Sequence, residues 1–118
     1  MKAKDAVGRY GENVAASYLA RAGWQVLDRN WRGPSGELDI VALQGSELVV
    51  VEVKTRTGEG FGHPAEAVTA GKLTRLRQLA AQWLAAHDLH PTSIRIDVVA
   101  VRTSRRGAAT VEHLTGVV

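Results

Sequence analysis

The chain contains no cysteine, which removes a disulfide framework, a thiol nucleophile and thiolate-held zinc or iron–sulfur centres together. Any metal must therefore rest on oxygen or imidazole. Long apolar runs are also missing. Stretches such as Leu48 to Val51 and Val98 to Val101 stop at four residues, against the roughly 18 that a bilayer span requires. The amino terminus has no apolar signal core, because Lys2, Lys4, Asp5, Arg9 and Glu12 interrupt it, so a cytoplasmic protein with no membrane association is expected. His63, His87, His90 and His113 show no paired metal-ligand spacing, which argues against zinc. Phosphate-loop fingerprints are absent too: the Gly-rich segment from Thr57 to Pro64 lacks G-x-G-x-x-G, and Gly71-Lys72 is followed by Leu73 rather than Ser or Thr. That segment reads better as a substrate-covering loop. Trp24, Trp31 and Trp83 form no aromatic cluster in sequence and read as core rather than as base-stacking platforms.

What is present is an ordinary globular composition. Hydrophobic residues make up 45% of 118 and charged residues 23%, enough apolar surface for one folded domain and too much for disorder. The net charge is +3 and the sequence pI about 9.7, which permits a polyanionic partner. Up to Lys54 the chain carries seven basic and seven acidic side chains. All the excess positive charge therefore follows it, with Lys72, Arg75, Arg77, Arg95, Arg102, Arg105 and Arg106 facing only Asp88 and Asp97 between Ala67 and Val111.

No repeat or linker divides the sequence. Val7, Tyr10, Val14, Tyr18 and Ala22 recur at helical steps and predict a helix from Asp5 to about Ala22, ended by Gly23. A short strand is expected at Trp24 to Asp28, then a turn at Gly33-Pro34-Ser35-Gly36. Glu37 to Gln44 and Glu47 to Thr55 are strands joined by Gly45-Ser46, the Gly-first pair of a two-residue type II′ hairpin. A second helix runs from about Ala65 or Lys72 to His87, with Leu73, Leu76, Leu79, Ala80, Trp83 and Leu84 as its apolar stripe. Ile94 to Arg102 and Thr110 to Leu114 complete the set as strands. The order α-β-β-β-α-β-β predicts an α/β sandwich around a mixed sheet.

The hairpin carries the chemistry. With Gln44 opposite Glu47, cross-strand positions sum to 91, which sets Asp39 opposite Glu52 and Glu37 opposite Lys54. Alternation then gives 37, 39, 52 and 54 one face, and Leu38, Ile40, Val49, Val51 and Val53 the other. Two facing carboxylates have Cβ atoms about 4.5–5.5 Å apart and repel by roughly 3 kcal/mol at an effective dielectric near 20. Three remedies are open: a raised pKa on one acid, a neighbouring cation such as Lys54, or a divalent metal ion between them. A cross-strand Glu37–Lys54 ion pair would account for Glu37. Asp97, on a central strand, reads as structural and paired with Arg95 or a neighbouring strand.

Gly36-Glu37-Leu38-Asp39-Ile40-Val41 followed by Val51-Glu52-Val53-Lys54-Thr55-Arg56 resembles the Asp…Glu-x-Lys signature of restriction-endonuclease-like nucleases. Gly8-Arg9-Tyr10-Gly11-Glu12, Gly23-Trp24, Phe61-Gly62 and Arg95-Ile96-Asp97-Val98-Val99 together resemble the YraN family of small uncharacterised bacterial proteins, over nearly the whole chain. The resemblance implies a restriction-endonuclease-like α/β fold with an αβββαβ core, similar to archaeal Holliday-junction resolvases. It implies a Mg²⁺- or Mn²⁺-dependent endonuclease that hydrolyses phosphodiester bonds of DNA. Asp39 would be the metal-bridging carboxylate, Glu52 a second ligand, the Val53 carbonyl a further ligand, and Lys54 the cation beside the attacking water and scissile phosphate. Glu12, on the first helix, matches a metal-site glutamate of the resolvases, and Glu37 ranks as a supporting residue. Leu38 departs from the motif, which places proline before the aspartate.

Arg56, Lys72, Arg75 and Arg77 follow the hairpin and are the first candidates for DNA-backbone contact. Arg102, Arg105 and Arg106 come next, and His63 is a lesser candidate to approach substrate. So short a chain has no room for a target-recognition domain, so selection by DNA shape, as at branches or junctions, is expected over selection by sequence. A homodimer would supply the two sites that paired cuts across a junction need, although no residue pattern marks a dimer interface. A non-catalytic nucleic-acid-binding module of the same fold is the alternative, and a protein–protein adaptor is a third.

Overall fold

Small residues decide how the first helix sits. Helix α1 spans Ala3–Arg21, and its buried line is Gly11, Ala15 and Leu19, at steps of four. The expected stripe through Val7 and Tyr10 is rotated from this line, since those two side chains are 37% and 48% exposed. The physical reason is at Gly11. A Cβ there would collide with the Thr55 side chain, so a residue without a side chain lets the helix lie close against the sheet.

The computed structural model describes residues 3–58, 63, 68–104 and 107–117, with side chains from residue 6 onward. The Phe61-Gly62 motif, most of the Gly-rich loop, the earlier of the two starts expected for the second helix, and Arg105 and Arg106 lie outside the described residues. Five strands follow α1 in one sheet: β1 (Gln25–Gly33), β2 (Gly36–Gln44), β3 (Glu47–Thr57), β4 (Ser93–Thr103) and β5 (Thr110–Leu114), with helix α2 (Ala70–Ala85) between β3 and β4. The spatial order is β1-β2-β3-β4-β5. Only β3 and β4 run parallel, because α2 returns the chain across the sheet face. This is the mixed α/β arrangement with an αβββαβ core that the sequence predicts, compatible with a restriction-endonuclease-like fold. No helix among the described residues is long and apolar enough to cross a membrane.

The sheet is covered on both sides. Val41, Leu48, Val50 and Ile96 pack beneath Leu73, Leu76, Leu79, Ala80 and Trp83 of α2. Ile40, Ala42, Val49, Val51, Val99 and Val101 pack beneath Ala15 and Leu19 of α1, with Trp24. Burial on both faces explains why these strands read as near-continuous apolar runs rather than alternating ones.

β1 is longer than expected. It does not stop at Asp28 but runs on through Trp31 to Gly33, passing a register shift between Val26 and Asp28. Within it Asn30 has φ +53°, a left-handed conformation that asparagine tolerates better than most residues. Asn30 lies between the Arg29–Ile40 and Trp31–Leu38 partners, so it stands across from Asp39. Here the side-chain phase breaks. Leu38 packs in the α2 layer while Ile40 packs in the α1 layer, although residues two apart on a regular strand share a face. The expectation that both share one face is therefore corrected: the left-handed turn at Asn30 re-phases the two strands at the position of Asp39.

Candidate functional site

The hairpin register is the predicted one from Gln44–Glu47 to Ile40–Val51. Gly45 at the turn has φ +61°, the positive value that the first central residue of a type II′ turn needs. Beyond Ile40–Val51 the backbone ladder stops. In its place the Val53 N–H donates to Asp39 Oδ2 at 2.8 Å, so a side chain occupies a backbone position and the two strands part. The N–H and C=O of a strand residue point to the same edge, and the Val53 carbonyl therefore faces β2 as well.

At this parting Asp39 and Glu52 meet as expected, close enough for each to shift the other's ionisation. Burial, then the neighbouring Glu52 carboxyl and its charge, push Asp39 up to about 8. Burial also pushes Glu52 upward, but the neighbouring Asp39 carboxyl and the Lys72 ammonium outweigh it and hold Glu52 below the usual carboxylate range. Glu52 is buried at 8% exposure, and its ion-pair partner is Lys72 Nζ at 2.9 Å.

Lys72, a candidate for DNA-backbone contact, pairs in the fold with Glu52. It stands in the first turn of α2, where the Thr69 hydroxyl accepts its backbone N–H at 3.2 Å as an N-cap. The sequence hid this contact because α2 is separated from β3 by a loop and comes back over the sheet only in three dimensions. Lys54 lies on the same strand face as Glu52 and acts on it through space. The Glu37–Lys54 pair is a correction. Glu37 instead pairs with Arg32 at 3.1 Å, because the ladder that would have brought 37 and 54 together ends at Ile40–Val51.

Glu12 stands beside the pair rather than on it. In the amide orientation that satisfies its neighbours, the Asn30 side chain donates to Glu12 at 2.7 and 3.2 Å and to Glu37 at 3.1 Å. Burial and the charge of Glu37 raise the Glu12 pKa, against the lowering effects of Arg29 and Asn30. Glu12 in turn adds negative potential at Asp39. Among the described residues no three His, Asp or Glu side chains are close enough to hold one metal ion together. The oxygens that could hold one are those of Asp39, Glu52 and the Val53 carbonyl, with Glu12 next to them. Two carboxyl groups held this close fit a hard divalent cation, whose charge would offset their repulsion. Asn30 is the residue sequence reasoning missed, because the first strand is expected to end at Asp28 and it runs on to Gly33.

The basic candidates divide. Arg56 continues the face of Glu52 and Lys54 along β3, donates to the Thr55 carbonyl, and lies beside Arg102 in the parallel register. Arg75 is exposed on α2, with its Cδ over Gly36. Arg77 points elsewhere, lining a cavity of about 330 Å³ with Ile94, Ile96 and Val117. His63 is exposed. Asp97 is structural as expected: Arg95 binds both its oxygens at 2.8 and 3.0 Å, His113 Nε2 lies at 2.7 Å and the Gly116 N–H donates at 2.9 Å.

A family model described as Uncharacterised protein family UPF0102 matches residues 11–101, a span that includes Glu12, Asp39, Glu52, Lys54 and Lys72. The chain belongs to the UPF0102 family. This is the YraN family under another designation. Among its UPF0102 relatives, the protein of Beutenbergia cavernae is 62% identical over 117 residues, covering 99% of each chain. That of Kineococcus radiotolerans is 57% identical over 118 residues, with 99% of this chain and 97% of the other covered. That of Streptomyces coelicolor is 54% identical over 119 residues, with 99% and 92% covered. UPF0102 is a family designation and carries no activity with it.

Proposed function

We propose that this UPF0102 protein is a metal-dependent phosphodiesterase that cuts DNA by shape, at branches or junctions. The observation that carries the reading is the approach of half-buried Asp39 to buried Glu52 where the β2–β3 ladder ends, with two lysines beside them. A purely structural sheet has no need of opposed carboxylates, and perturbed acids gathered with cations are a mark of functional sites. Asp39, Glu52 and the Val53 carbonyl would hold Mg²⁺ or Mn²⁺, with Glu12 positioned to join through water. The bound ion supplies a water of lowered pKa and charge compensation at the phosphoryl oxygens. Lys54 would stabilise negative charge that develops on the phosphate. Arg56, Arg102 and Arg75 would track the backbone, a sequence-independent source of affinity that weakens with salt.

A second reading has its own observation. Because no third acid among the described residues completes the cluster and Lys72 already pairs with Glu52, the same surface could bind nucleic acid without cutting it. One experiment separates the two. Labelled four-way junction, flap, linear duplex, single-stranded DNA and RNA are incubated in Mg²⁺, Mn²⁺ or EDTA with wild type and Asp39→Asn. Cutting that needs metal and vanishes in the variant is the expected result; junction binding without cutting, equal in wild type and variant, would establish the binding module instead.

A further inference from the structure

Two lysines border the acid pair, and they are held differently. Lys54 makes no hydrogen bond or ion pair among the described residues and reaches Glu52 only through space. Lys72 Nζ lies 2.9 Å from Glu52 Oε2, with side-chain exposures of 33% and 9%. Its backbone is fixed by the Thr69 cap at the start of α2, which sets where the side chain starts. A single ammonium group is therefore the cation that faces Glu52 in the metal-free protein.

A divalent ion bound to Glu52 would have to enter the space next to that ammonium, and like charges at such separations repel strongly where water is scarce. The ion and the ammonium cannot both rest on the same carboxylate oxygens. We infer that Lys72 is an internal counter-ion: it holds Glu52 in the metal-free protein, yields it when a divalent cation binds, and is thereby released toward the anionic substrate. This rests on the reading of Asp39 and Glu52 as a metal site and adds its regulation. The ion-pair strength sets the cation concentration at which the site fills, so metal loading and presentation of a free lysine become one event.

The test is calorimetric titration of Mn²⁺ into the full chain as wild type, Lys72→Met, Lys72→Gln and Asp39→Asn. Both Lys72 variants should bind Mn²⁺ roughly tenfold more tightly, the effect of removing one charge-assisted competitor, while their phosphodiester cleavage falls. Asp39→Asn should not bind. A readout on the unmodified protein guards against variants that fail to fold: on Mg²⁺ addition the ¹⁵Nζ signal of Lys72 should move to the position of a solvated lysine. Asp39-dependent binding in wild type with unchanged or weaker binding in both Lys72 variants, or a Lys72 signal unmoved at saturating Mg²⁺, overturns the counter-ion and leaves the metal site standing. A wild type that binds no Mn²⁺ through Asp39 removes the metal site and the counter-ion together.

Discussion

Two aspartates of the same sheet, one fully and one partly buried, are treated in opposite ways. Asp97 on β4 is fully buried, and although burial alone would raise its pKa, hydrogen bonds from Arg95, Gly116 and His113 outweigh it and hold the carboxyl below the usual range. Every lone pair it offers meets a donor. Arg95 is held in turn by Glu47 at 2.8 Å and lies over the Trp24 ring, so charge is compensated around the whole group. Asp39 on β2 has one backbone N–H and, as its main neighbour, another acid. The Asp97 region has finished its electrostatics within the fold. The Asp39 region has left them open, and an open balance of that kind is what a cation or a substrate can close.

The largest effect expected from breaking this contrast is at Asp97. Asp97→Ala leaves Arg95 without its main partner in a buried setting, and should cost about 3–5 kcal/mol in chemical denaturation. The pH profiles should then run in opposite directions. Asp97 is depressed, so its contribution is present above the unfolded value and is lost as the pH falls through its folded value, on the acid side. Asp39 is raised to about 8. Between the unfolded value and that one the native state holds a proton the unfolded chain has released, so stability falls as the pH rises. Metal-free Asp39→Asn should therefore melt about 5 °C or more above wild type at pH 8, with the gap closing toward pH 4. A smaller effect is expected at the α1 contact: Gly11→Ala should cost about 1–3 kcal/mol by overpacking against Thr55, partly restored by Thr55→Ala in the double variant. The smallest is at Glu37, whose Arg32 partner is mostly exposed; Glu37→Gln should change stability by less than about 0.5 kcal/mol.

Much of the open region was legible from one dipeptide. Gly45-Ser46 fixes the turn, the turn fixes the register, and the register brings Asp39 to Glu52 without any knowledge of the rest of the fold. The Arg95–Asp97 pair was legible for a similar reason, since two residues apart on one strand share a face. What escaped is what depends on distance along the chain or on a local departure from regularity. Lys72 reaches Glu52 only because α2 folds back across the sheet, and charge counting put it on the outside with Arg75 and Arg77. The phase break at Asn30 moved Leu38 to the other layer and undid the Glu37–Lys54 pair, since alternation carries no signal of a left-handed residue on the neighbouring strand. The buried line of α1 was misplaced because hydrophobicity was weighed above size, and the closest approach to the sheet is made at a glycine.

The most direct test is a titration of the side-chain carboxyl carbons of Asp39 and Asp97 by NMR, in metal-free buffer and again with Mg²⁺. Asp97 should titrate below the ordinary aspartate range and be indifferent to the ion, while Asp39 should titrate far above it and fall sharply when Mg²⁺ is added. Two aspartates titrating alike near the ordinary value, or an Asp39 unmoved by Mg²⁺, would contradict the account.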